Sequence, residues 1–200
     1  MATGSGIFLR GKRGDVIYYV RNDRQCMRRA SKEVSNPRTP QQMKGRKEFG
    51  EASKFASKVL KHLIHPYWNI VANKIQRIGY NYFVTTNMPA FRNGNLEPEK
   101  LILTPQKGLV QENFVVERQG NILNLSWEAR PSVKSAREED EMCLLILSPS
   151  QELIIKSTIA KRMDLQVEIE TIEEDYHYFV FWKRDKLWSA SKFIHETKFL

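Results

Sequence analysis

From residue 100 onward the chain breaks into short runs rich in apolar and β-branched residues, separated by polar turns: KLILT, ENFVVERQ, ILNLSWEAR, MCLLILS, ELIIKST, LQVEIET, YHYFVFWKR and LWSASKFI. Strands of this length at this spacing are what a β-sandwich requires. Trp127, which ends ILNLSW, stands where a sandwich of the fibronectin or immunoglobulin type places a core tryptophan. No disulfide accompanies it, which favours the fibronectin-like version. The stretch YHYFVFWKRDKLWSASKF has the form of a final hairpin, with Asp185 and Lys186 near its turn.

Upstream of Asn95 the periodicity is different. Thr39-Pro40-Gln41-Gln42 has the composition of a helix start, with Thr39 as N-cap, Pro40 in the first helical position and Gln42 reaching back. Phe49, Ala52, Phe55, Ala56, Val59, Leu60 and Leu63 then recur at intervals of three and four, which places them on one helical face, while Lys44, Lys47, Lys54, Lys58 and Lys61 fall on the other. Pro66 interrupts the run, and a second helix with Tyr67, Trp68, Val71, Ile75 and Ile78 in register is closed by Gly79, so the expectation is a helical hairpin, with a single kinked helix as the alternative. YNYFVTTNMPAF carries no assignable pattern. Ahead of the helix, IFL, DVIYYVR and RQCMRR predict a three-stranded meander with its second turn at Asn22-Asp23, and Gly11 and Gly14 serve as turn glycines. The expected architecture is therefore α+β, with a basic meander and helical hairpin over residues 1–95 and a fibronectin-like sandwich over residues 96–200.

Of the 200 residues, 41% are hydrophobic, enough for a core. No apolar run approaches the ~20 residues of a membrane span, no signal-peptide pattern opens the chain, and a cytoplasmic location is the expectation. Cys26 and Cys143 read as free thiols. The net charge is +9, and it is uneven: residues 1–110 hold 20 Lys and Arg against 7 Asp and Glu. Basic residues clustered in one half point to a polyanion, or to the acidic half of a neighbouring copy. The candidate polyanion contacts are Arg21, Arg24, Arg28, Arg29, Lys54, Lys58 and Lys61, with Lys32 and Arg38 nearby and Tyr18 and Tyr19 interleaved with this basic group.

Motifs for catalysis are weaker. Gly6-x-x-x-x-Gly11-Lys12 approaches a phosphate-binding loop, but Arg13 replaces the Mg²⁺-holding Ser or Thr, and DVIYYVR supplies a β-pattern where a helix is needed. His62 and His65 lack a third ligand at metal spacing. His177 and His195 stand outside any nucleophile context. Glu138-Glu139-Asp140-Glu141 lacks the alternating ligands of a calcium loop and reads as a solvated turn. No cofactor is implied.

GKRGD, YYVR, NPRTPQQ, EFGEASKFA, LILTPQKGLV, LNLSWEA and a terminal FVFW…LWSASKF together resemble a domain-of-unknown-function family found mainly in Bacteroidota. The Gly11-Lys12-x-Gly14 turn and Asn36-Pro37-Arg38-Thr39-Pro40 carry most of the resemblance, which spans nearly the whole chain. Pro105 and Gln106 depart from the pattern in one loop. The resemblance implies no catalytic residues. NPRTP-x-Q also resembles helix starts in prophage-associated proteins, which hints at an assembly component. The sequence thus leads to a non-enzymatic protein-interaction or assembly module that engages a protein partner or itself, with weak nucleic-acid binding through the basic half as the alternative and no membrane association.

Overall fold

A computed structural model describes residues 8–21, 23–32, 36, 38–110, 113–128, 136–172 and 176–194. The fold is α+β. The chain divides into two compact units, Met1–Gln42 and Met43–Leu200.

The first unit is an antiparallel meander of β1 (Gly11–Arg13), β2 (Val16–Arg21) and β3 (Arg24–Arg29) in that order. Its first strand begins at Gly11, not at the expected IFL, of which Ile7 lies outside the described residues. Gly11 and Gly14 have φ of +101° and +59°, backbone that glycine adopts without strain, and Gly14 turns β1 into β2. Lys12 is accordingly a strand residue opposite Ile17, and Asp23, at φ +57°, turns β2 into β3; its expected partner Asn22 lies outside the described residues. Among the described residues of this unit only Ala30 is buried.

α1 (Pro40–Lys58) begins as its sequence dictates: the Gln42 amide donates to Thr39 Oγ1 at 3.4 Å, and Pro40, which has no N–H to satisfy, occupies the first helical position. Pro37 of the preceding tripeptide lies outside the described residues. Pro66 does not end the helix. The backbone from Leu60 to Trp68 widens to π-helical geometry, with the Asn69 amide donating to the Ile64 carbonyl five residues back. That geometry relaxes the clash a proline ring makes with an α-helical carbonyl. The helix continues as α2 (Asn69–Lys74). Reversal comes later, at Ile75–Ile78, both exposed at its two ends, with Gln76 at φ +54°. Gly79 is thus not a cap. It opens α3 (Gly79–Asn87), and a Cβ there would fall 2.8 Å from the Asn69 backbone nitrogen, so the helical hairpin closes at this contact. The stretch without a sequence pattern, residues 80–91, falls in α3 and in a following 3₁₀ turn, Met88–Gly94. Ala52, Phe55, Ala56, Val59 and Leu63 form the buried stripe, whereas Phe49, 56% exposed, lies outside it.

The strands that follow are β4 (Phe114–Gln119), β5 (Ile122–Trp127), β6 (Glu141–Leu147), β7 (Leu153–Lys161), β8 (Gln166–Glu170), β9 (His177–Arg184), β10 (Leu187–Trp188) and β11 (Lys192–Phe193). They pair as β4-β5-β8 in one sheet and β10-β9-β6-β7 in the other, with β11 also on β9. Val116, Leu123, Leu125, Trp127 and Ile169 of the smaller sheet pack on Met142, Leu144, Ile146, Val180 and Trp182 of the larger, which makes the sandwich. Trp127 is 5% exposed; its ring meets Trp182 edge-on at 5.3 Å, and its Nε1 donates to the Arg162 carbonyl at 2.9 Å. Asp185, at φ +47°, turns β9 into β10 as the sequence indicated.

The larger sheet is covered on its other face too. Cys143, Leu145, Leu147, Phe179 and Phe181 share a core with Phe55, Leu63, Trp68 and Phe83 of the helices. The expected boundary after residue 95 is therefore replaced by one at Gln42: helices and strands of the second unit are three layers over two shared cores. KLILT is also not a strand, because side chains satisfy its backbone. Asn87 accepts from Ile102 N–H at 2.7 Å and donates to the Ile102 carbonyl at 3.1 Å, Trp68 Nε1 donates to the Leu103 carbonyl at 2.8 Å, and Leu103 N–H donates to Ser191 Oγ at 2.7 Å.

Truncating Trp127 removes an indole from between two sheets. Trp127→Ala is expected to lower unfolding free energy by about 3–5 kcal/mol, measured by urea denaturation, and a loss below about 1 kcal/mol would contradict this packing.

Candidate interface for an anionic partner

Cross-strand register decides which side chains of the meander share a face, because directly opposed residues of an antiparallel pair point to the same side. Lys12, Ile17 and Arg28 form one rank, Tyr19 and Cys26 the next, and Arg21 and Arg24 the third. Lys12, Arg21, Arg24 and Arg28 thus lie around an exposed Tyr19, 38% accessible. Arg29 is on the opposite face with Arg13, Val16, Tyr18 and Met27. The leading segment is tied to that opposite side: Leu9 N–H donates to Gln25 Oε1 at 2.7 Å, and Gln25 Nε2 donates back to the Leu9 carbonyl.

The other three candidate cations belong to the second unit, and two of them have local work. Lys54 bridges Glu51 at 2.9 Å, and this hydrogen bond holds the Glu51 carboxyl below its ordinary range. Lys58 Nζ donates to the Ser150 carbonyl at 2.7 Å. Lys61 is exposed beside exposed His62. Residues 1–42 contain 9 Lys and Arg against 3 Asp and Glu, and residues 43–200 contain 23 against 20, so the basic excess is concentrated in the meander unit.

The acidic run 138–141 is not uniformly solvated. Asp140 has no exposed surface; its carboxylate lies 3.0 Å from Arg162 Nε and 3.0 Å from Arg184 Nη1, and it accepts the Arg137 amide at 3.0 Å. The Arg162 guanidinium stacks over Trp182, 4.4 Å from the ring centre. Two arginines flanking one carboxylate in the low dielectric of the core lock the turns at one end of the sandwich, and such a pair is costly to break singly. The one available signal was position: Asp140 immediately precedes the strand with the longest apolar run, whereas its partners are remote in sequence.

Cys143 and His177 both sit in apolar packing. Burial pushes the Cys143 thiol up and away from the thiolate form, and its side chain is in the helix-facing core. His177 packs its ring 6.0 Å from Phe193; His195 and Gly6 lie outside the described residues. Among the described residues no three His, Cys, Asp or Glu side chains converge as metal ligands, and no helix is long and apolar enough to cross a membrane.

Asp140→Ala is expected to cost about 3–5 kcal/mol of stability by leaving buried guanidinium charge uncompensated. Glu138→Gln and Glu139→Gln, in the exposed part of the run, are expected to change it by less than about 0.5 kcal/mol, and equal effects in thermal melts would refute the distinction. No family model matches the chain, and the comparison with curated proteins finds no match.

Proposed function

We propose that the protein is a non-enzymatic interaction module whose binding element is the basic face of the N-terminal meander, and whose partner carries negative charge. The observation that carries this reading is the register that gathers Lys12, Arg21, Arg24 and Arg28 around Tyr19. Arg21 and Arg24 stand directly opposite each other, an arrangement that destabilises an isolated sheet and is relieved by an anion. With Ala30 the one buried side chain described in this unit, the meander contributes little core, so a role in binding accounts for its charge better than a role in stability. The three-layer body of residues 43–200 serves as the scaffold.

A labelled heparin oligosaccharide is a suitable polyanion probe. Replacing Arg21, Arg24 and Arg28 together by Gln is expected to weaken binding at least tenfold at about 0.05 M salt and to flatten the slope of log affinity against log salt by about 2–3. Replacing Lys54, Lys58 and Lys61 by Gln is expected to leave both nearly unchanged, since two of them are engaged within the scaffold. Unaltered affinity in the arginine variant would overturn the reading.

A further inference from the structure

We infer that the meander face takes single-stranded nucleic acid, with an unpaired base stacked on Tyr19 and flanking phosphates held by the two cationic ranks. This rests on the reading that the face engages an anionic partner, and it names that partner.

Three features of the face carry the step from any polyanion to a single strand. Tyr19 occupies the middle rank, and its ring is exposed although the face has apolar Ile17 beside it. Its direct neighbour across the ladder is Cys26, small enough to leave the ring open on that side. The ranks are two residues apart along the strand, about 7 Å, so Lys12 and Arg28 lie to one side of the ring and Arg21 and Arg24 to the other, about 14 Å apart, a span that takes in more than one phosphate step of an extended strand. Aromatic rings set among cations on an open sheet bind single strands by stacking, which every base offers and a paired duplex does not. Arginine adds to this, because its planar guanidinium forks onto phosphate and also stacks. The face is one side of a three-stranded ribbon on which Lys12, Arg21, Arg24 and Arg28 are exposed, and the leading segment is tied to the opposite face through Gln25.

The competing partner is a second copy of this chain. The outer face of the β4-β5-β8 sheet holds a hollow of about 570 Å³ lined by Glu117, Gln119, Asn124, Ser126, Gln166 and Glu168, and it is acidic. It lacks a counterpart to the exposed ring, since its ranks offer only Val115 and Ile122 as apolar groups, so the tyrosine favours nucleic acid.

The test is fluorescence anisotropy of the full chain with a labelled single-stranded oligothymidine of about 12 nucleotides and with a duplex of the same length, at two salt concentrations. The single strand is expected to bind about tenfold tighter than the duplex. Tyr19→Ala is expected to weaken it about 5- to 150-fold, while Tyr19→Phe, which keeps the ring, restores binding; circular dichroism of each variant reports whether the sheet is retained. Arg21→Gln with Arg24→Gln is expected to flatten the salt slope by about 1.4. Equal affinity for single strand and duplex, or wild-type binding by Tyr19→Ala, overturns the inference while leaving the anionic-partner reading to the heparin result. Self-association abolished by Glu117→Gln with Glu168→Gln, together with absent oligonucleotide binding, overturns it in favour of a second copy. Heparin binding indifferent to the arginines removes both readings.

Discussion

β6 has no solvent side. Cys143, Leu145 and Leu147 point into the core shared with the helices, and Met142, Leu144 and Ile146 point into the sandwich. A strand buried on both faces must be apolar at every position, which is the reason MCLLIL is a continuous run where a one-sided strand alternates. β9 beside it repeats the division, with Phe179 and Phe181 on the helix side and Tyr178, Val180 and Trp182 on the sandwich side. These two strands make the second unit a single cooperative body. A sandwich cut away at residue 96 would expose the aromatic face that Phe55, Trp68 and Phe83 now cover.

The ends of that body are fixed by polar groups. Asp140 enters the core because Arg162 and Arg184 are there to meet it, and Arg162 in turn offers its carbonyl to Trp127 and its guanidinium face to Trp182. Charge, hydrogen bond and ring packing are thus coupled at one corner of the sandwich. At the helical layer the same economy appears in neutral form. Asn87 and Ser191 take the place of a neighbouring strand for Leu101–Thr104, so a segment with strand composition runs as an extended strap.

Strand content is legible wherever composition alone decides it: seven of the eight strand-like segments from residue 100 onward contain strands, the last of them split into β10 and β11, and Trp127 is in the core. KLILT is the exception because its partners are side chains from α3, the π-helical segment and β11's approach, which no local pattern reveals. Pro66 misleads for a similar reason, since a proline predicts a break unless the helix can widen, and here the widened turn buries Leu63, Ile64 and Trp68. Gly79 has the look of a stop because glycine commonly ends helices; its real cause is the proximity of Asn69. The candidate cations are visible as residue types, but their grouping is not. Register separates Arg28 from its sequence neighbour Arg29 and brings in Lys12, which the sequence suggests for a turn.

The small buried content of the meander has an effect on any affinity it displays. A sheet of three short strands with little core lies at the low end of local stability, so its paired form is one population among several. A partner that needs the paired form binds with its intrinsic affinity multiplied by the fraction of molecules that have it. Affinity is then adjustable from the reverse side of the sheet. A substitution at Met27 or Val16 that favours pairing would tighten binding without adding a contact, and one that loosens it would mimic the loss of a binding residue.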